Sequence, residues 1–349
     1  MPGQPSQTTS DGHLDHLDGW RGLAIAFLLI GHFLPVPGIN LGAVGVSLFF
    51  VLSGHLMGRL LFLKETPIPV FYRRRISRIL PAHLCFITCI VVAFLLAGQA
   101  VNWGETAAAS FFFNNYEIAS PGRDSMPFGH TWSLCVEEHS YILLSLIAIV
   151  VRSSQIKARA LVAAMVIASV SAGVWYWLHY SGNELDFGHW LRTEVSGYGI
   201  FVSVLLLLYF SARAIPGLPA LVYPALIAGG ILLHWWSFPA PVRTFVGVGL
   251  FALAVNLLET APRVVKSALS IWPLRYLGLW SFSIYLWQQP FYLAAHAHRM
   301  STPIALATAV ACGLASFYLL ERPARSFLNR VWGQGRGAAP RQAAGVRNG

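Results

Sequence analysis

Apolar runs of about 20 residues recur along the whole of this 349-residue chain. Such a run is long enough to cross a bilayer, and lipid offers no partner to a backbone N–H or C=O. A helix satisfies those groups internally, so the runs dictate helices. Composition agrees: 56% of residues are apolar and 11% are charged, where a soluble domain is about a quarter charged. The reading is an all-α integral membrane protein with a bundle of about ten transmembrane helices. They are expected at 19–36, 41–63, 76–97, 131–151, 159–180, 193–212, 218–236, 242–258, 274–295 and 302–320. A further apolar stretch, 107–113, is too short to span and is expected to be re-entrant or interfacial.

Lys and Arg in the loops set the orientation. Lys64, Arg73, Arg74, Arg75 and Arg78 follow the second run, and Arg152, Lys157 and Arg159 the fourth. Arg213, then Arg263, Lys266 and Arg275, and finally Arg322, Arg325, Arg330, Arg336, Arg341 and Arg347 extend the same set. The opposite ends hold Arg123, Arg192, Arg243 and Arg299. The first set is read as cytoplasmic, which puts both termini inside, as an even number of crossings requires. The net charge of +10 then reflects inner loops and not nucleic-acid binding.

Three parts are expected: a disordered N-terminal segment 1–16, a single membrane domain 17–330, and a disordered basic tail 331–349. Residues 1–17 carry no Lys or Arg, so the first run is read as an uncleaved helix and not a signal peptide. Cys85, Cys89, Cys135 and Cys312 lie in apolar segments and read as packing residues; no metal site is expected.

Polar residues inside apolar runs mark where chemistry could sit. In GWRGLAIAFLLIGHF, 19–33, Arg21 and His32 are eleven residues apart, so they share one helix face at roughly 16 Å separation. GHTWSLCVEEHSY, 129–141, puts Glu137 and Glu138 two turns into the fourth run, with His130, Ser133 and Glu137 on one face. Glu137 and His32 fall at similar depth, and a carboxylate beside an imidazole fixes its tautomer and raises its basicity. His32 with Glu137 is therefore the expected catalytic pair. FYRRRISRIL, 71–80, holds four arginines in six positions and no lysine. Arginine forks match phosphate oxygens, so Arg74, Arg75 and Arg78 are expected to bind phosphate, on a ligand or on an anionic lipid headgroup. Gly42, Gly45, Gly54 and Gly58 suit close helix packing. Gln288 and Gln289, beside Pro290, suit a polar cavity lining.

These segments, taken together, resemble the membrane-bound acyltransferase-3 family, which contains sugar O-acetylases of bacterial polysaccharides, Nod factors and some antibiotics. LDGWRGLAIAFLLIGH, VSLFFVLSGHLMGRLL, FYRRRISRILPAHL, HTWSLCVEEHSY, SFSIYLWQQPF and LLERPARSFL are similar to its motifs, in its order, over 17–328. The resemblance implies acyl transfer from acyl-CoA to a hydroxyl, with the product outside. It carries function onto Arg21 and His32, onto Arg75 and Arg78, onto Glu137, and onto Trp132 and Glu321. Ser53-Gly54-His55, His139-Ser140 and Gln288 depart from its pattern. Gln288 stands where a histidine is common, which counts against a second histidine acting there as acid or base. No appended hydrolase-like domain is expected.

The resulting expectation is a multi-pass protein of a bacterial cytoplasmic membrane. Acyl-CoA, acetyl-CoA first of all, is its co-substrate, and no cofactor is permanently bound. Arg21, Arg74, Arg75 and Arg78 hold the donor's phosphates, and His32, oriented by Glu137, is general base or acyl relay. Ser133 or a backbone amide would steady the oxyanion, with Trp132, Glu138, Glu321 and Gln288 in support. The partners are membrane lipids and a carbohydrate or lipid-linked glycan acceptor. The rival reading is a glycan or lipid transporter that uses intramembrane Glu and His.

Overall fold

The computed structural model of the chain describes residues 15–118, 126–151, 154–182, 186–213 and 215–333. Residues 1–14, the tail from 334, and Arg123, Arg152, Arg336, Arg341 and Arg347 lie outside the described residues. Among the described residues the architecture is helical, with one isolated β-bridge between Ile39 and Trp235.

Among the described residues, a helix appears at each of the ten apolar runs. They are α1 (Asp15–Phe33), α2 (Leu41–Leu63), α3 (Ile68–Leu96), α4 (Gly129–Val151), α5 (Gln155–Tyr180), α6 (Thr193–Phe210), α7 (Val222–Leu233), α8 (Val242–Thr260), α9 (Trp272–His296) and α10 (Thr302–Val331). Seven of them, α2–α6, α8 and α10, are long and apolar enough to cross a membrane. Three expected spans fall short of that description. Two are diluted by polar residues: α1 by its charges, and α9 by Ser, Gln and Tyr. Helix α7 has only 12 residues, because His234 Nδ1 caps the Gly230 carbonyl at 2.7 Å and the helix stops at Leu233. The stretch 107–113 contributes to a short helix, Trp103–Ser110, with the Asn102 side chain capping its first turn.

Helix α1 is the axis of the site. Glycine lets its backbone meet α9 directly: a Cβ at Gly22 would lie 1.9 Å from the Leu274 carbonyl oxygen, and one at Gly278 1.9 Å from that of Asp18. Close approach of this kind holds helices together where lipid supplies no hydrophobic drive. Trp20, fully buried, donates from Nε1 to the Leu48 carbonyl of α2 at 3.0 Å. A helix with two polar residues on one face is thereby enclosed by protein.

Ion pairs tie several helix ends together. Arg59 pairs with Glu259, and Arg275 with Asp15 at 2.8 Å, which gathers the ends of α2 and α8 with the starts of α1 and α9. The Ile39–Trp235 bridge closes the connections at the opposite end.

Candidate functional site

Among the described residues, a cavity lies at each end of the Arg21–His32 line. The first, about 100 Å³, lies toward the arginine-rich end, and Arg21, Arg75, Arg78, Ser53, Glu137 and Tyr141 line it. The second, about 660 Å³, is lined by His32, Trp132, Trp190, Trp236, Gln289 and Tyr292 among others.

In the first cavity, adjacent carboxylates are held by one guanidinium. Arg75 Nε donates to Glu138 Oε1 at 2.8 Å and Nη2 to Glu137 Oε2 at 3.2 Å. Its guanidinium lies 3.5 Å from the centre of the Tyr141 ring, a cation–π contact that closes the fork from one side. Ser53 Oγ donates to the other oxygen of Glu137 at 2.8 Å. The side chain of Arg75 is 11% exposed and those of the glutamates 17%, so each charge needs its partner.

The arginine set therefore divides. Arg75, expected to hold phosphate, has its fork committed to Glu137 and Glu138. Arg74 is exposed and does not line the cavity. Arg21 lines it while paired with Asp18 at 2.6 Å. Arg78 lines it half-buried and, among the described residues, makes no hydrogen bond or ion pair. Of the three expected donor ligands that line the cavity, Arg21, Arg75 and Arg78, it is Arg78 that has the most donors to offer. Glu321 sits outside the lining, buried in a π-helical turn (Phe317–Glu321), and accepts from Ser283 Oγ at 2.6 Å.

The expected pair of His32 with Glu137 does not form. His32 Nδ1 lies 2.8 Å from Gln288 Oε1, and the two residues of the expected pair line different cavities. A buried carboxylate gains more from a guanidinium than from a neutral ring, so Glu137 goes to Arg75. The amide network also assigns the tautomer. Gln288 Nε2 donates to Gln289 Oε1 at 3.3 Å, so the Gln288 oxygen is left as acceptor and Nδ1 of His32 carries the proton. Nε2 then holds a lone pair. The ring is stacked on Tyr292 at 4.5 Å between centroids. Gly42 leaves room for it: a Cβ there would lie 3.2 Å from His32 Nε2.

Trp132 and Ser133, neighbours at the start of α4, serve different cavities: Trp132 lines the second and Ser133 the first. Ser133 Oγ lies 2.8 Å from the Tyr285 hydroxyl, which donates to the His130 carbonyl. Both ring nitrogens of His130 are buried and, among the described residues, without a hydrogen-bond partner. Tyr285 and Tyr141 were not singled out by the sequence, and Ser53 only as a small residue for close packing and as part of a motif that departs from the family's pattern. Each lies in a segment whose other residues drew attention, and a lone hydroxyl in an apolar run gives no periodic signal.

Comparison with known proteins places this geometry. A family model described as "Acyltransferase domain" matches residues 14–321. The chain is 29% identical over 345 residues to a Komagataeibacter xylinus protein named "Putative membrane-bound transacylase BcsY", covering 93% of this chain and 86% of that one. It is 25% identical over 327 residues to "O-acetyltransferase OatA" of Staphylococcus aureus (strain NCTC 8325 / PS 47), covering 84% of this chain. The chain spans about half of that relative's length, 53%. No solved structure matches.

Proposed function

The chain belongs to the acyltransferase-3 family, and from that premise we propose that it transfers an acetyl group from cytoplasmic acetyl-CoA to a hydroxyl of a carbohydrate or glycan outside. The observation that carries this reading is the pair of cavities: one basic, one aromatic with His32, meeting inside a membrane bundle. The chain crosses the membrane ten times, α1 and α9 shielded by their neighbours and the short α7 completed by the turns that flank it, and both termini face the cytoplasm of a bacterial cell. The arginine-rich end is then the inner one.

The donor's phosphates dock on Arg78 and Arg21, and the thioester reaches up toward His32. The acceptor occupies the second cavity, where Trp132, Trp190 and Trp236 offer faces for sugar rings. Nε2 of His32 takes the acceptor's hydroxyl proton as that oxygen attacks the thioester carbonyl. The C–S bond breaks, the imidazolium gives the proton to the departing sulfur, and ester and free thiol remain. The Gln288 oxygen holds Nδ1–H throughout and keeps the tautomer.

The test uses the full chain in lipid nanodiscs with radiolabelled acetyl-CoA and cell-surface polysaccharide from a strain lacking the gene. Label should enter the polysaccharide with wild type and not with His32→Ala. Full transfer by a folded His32→Ala protein overturns the assignment.

A further inference from the structure

The two cavities are separated by a wall one side chain thick. Val46 of α2 and Tyr285 of α9 line both, and among the described residues no other does. Each edge of the wall is fixed. The Tyr285 ring is 8% exposed, and its hydroxyl is tied to Ser133 Oγ and to the His130 carbonyl, both at the start of α4. Beside Val46, a Cβ at Gly45 would lie 2.5 Å from the Ala24 carbonyl oxygen, so α2 is seated on α1 with no slack.

We propose that Val46 and Tyr285 form the gate that sets acyl size, admitting acetyl and excluding longer chains. The inference rests on the donor and acceptor sides assigned above. On that assignment the acyl chain enters the wall first, and the carbonyl and its sulfur come to rest within it, in reach of the acceptor oxygen and of His32. Every carbon of the acyl chain, ahead of the carbonyl, passes between the valine methyls and the tyrosine ring. A tightly packed core resists extra methylenes because neighbours must leave their rotamers. Here the neighbour that would have to move, Tyr285, is latched by two hydrogen bonds. One methylene in an apolar pocket changes selectivity by about 10- to 200-fold. A fixed gate reaches the upper part of that range, and a widened one loses it.

The experiment compares acetyl-CoA, butyryl-CoA and hexanoyl-CoA as donors for the full chain in nanodiscs, with thiol release and acyl incorporation read together. Wild type should favour acetyl over butyryl by about a hundredfold in kcat/KM. Val46→Ala should raise the butyryl-to-acetyl ratio by about tenfold. Tyr285→Phe, which keeps the ring and removes the latch, should move the ratio the same way by a smaller factor. Val46→Ile narrows the gate without opening a cavity, and should depress butyryl transfer more than acetyl transfer even if Val46→Ala fails to fold. Variants that turn over both donors with an unchanged ratio overturn the gate and leave the acyl-CoA reading standing. Wild type that consumes no acyl-CoA of any length overturns the donor assignment, and the gate with it.

Discussion

His32 Nδ1 and Gln288 Oε1 stand 2.8 Å apart, joining α1 to α9 at the larger cavity. The glutamine is fully buried, so its amide cannot exchange the imidazole for water. It does for His32 what a carboxylate does in many sites, without bringing a charge into the membrane interior.

Gln288→Ala should therefore lower kcat with little change in either KM. Losing one buried hydrogen bond and freeing the ring costs about 1–3 kcal/mol, or about 5- to 150-fold in rate. Gln288→His restores a ring nitrogen partner and should recover most of the activity. Initial rates at saturating donor and acceptor decide it: a raised KM with intact kcat would make Gln288 a binding residue only.

Arg75 is predicted to be a stability residue. Arg75→Ala strands Glu137 and Glu138, each 17% exposed, and breaking a buried ion pair from one side costs about 3–5 kcal/mol. The detergent-solubilised variant should lose its sharp melting transition. Arg75→Met with Glu137→Gln and Glu138→Gln should regain much of it, since no buried charge is left without a partner. A melting temperature unchanged in Arg75→Ala, with a raised KM for acetyl-CoA, would return Arg75 to the donor site.

Arg78 is predicted to bind the donor. Hydrogen bonds to a charged group are worth about 1.5–3 kcal/mol, so Arg78→Ala should raise the KM for acetyl-CoA by about 10- to 100-fold and leave kcat near wild type. Arg78→Lys keeps the charge and loses the fork, and should fall between. Acetyl-dephospho-CoA, lacking the ribose phosphate, separates contacts at the two phosphate positions: a smaller penalty for Arg78→Ala with that donor assigns Arg78 to the missing group. Loss of acceptor affinity in place of donor affinity would sink the assignment.

Much of the bundle was legible because lipid leaves a long apolar run only one structure. The face shared by Arg21 and His32 was legible too, since both lie on one unbroken helix. What periodicity cannot supply is the rotation of one helix against its neighbour. Glu137 and His32 were matched by depth, but depth left Ser53, Arg75 and Gln288 competing for the same two groups. The charged partner won Glu137 and the amide won His32. The shortness of α7 was hidden for a related reason: His234 caps the chain through a side chain that hydropathy counts only as polar. The separation of the site into two cavities depends on Tyr285, whose hydroxyl reaches α4 from a helix about 150 residues later in the chain.

Gly42 gives the sharpest separation of activity from stability. Its absent Cβ would lie 3.2 Å from both Cδ2 and Nε2 of His32, so Gly42→Ala makes the ring yield by a few tenths of an ångström. The ring has little freedom to do so, held by Gln288 on one nitrogen and by Tyr292 across its face. Misplacing a reacting group by about 1 Å can cost 10²-fold, so a smaller shift should cost on the order of tenfold in kcat. Gly42 also stands in the first turn of α2, where alanine is the better helix former by up to about 1 kcal/mol. The same Cβ would lie 3.2 Å from Asn40 Oδ1, the cap of α2, which offsets that gain, so the variant should melt near the wild-type temperature while working more slowly. A slower enzyme that also melts lower would point to a general packing defect. A Gly42→Ala protein with undiminished kcat would mean that the base is not on the Nε2 side of His32.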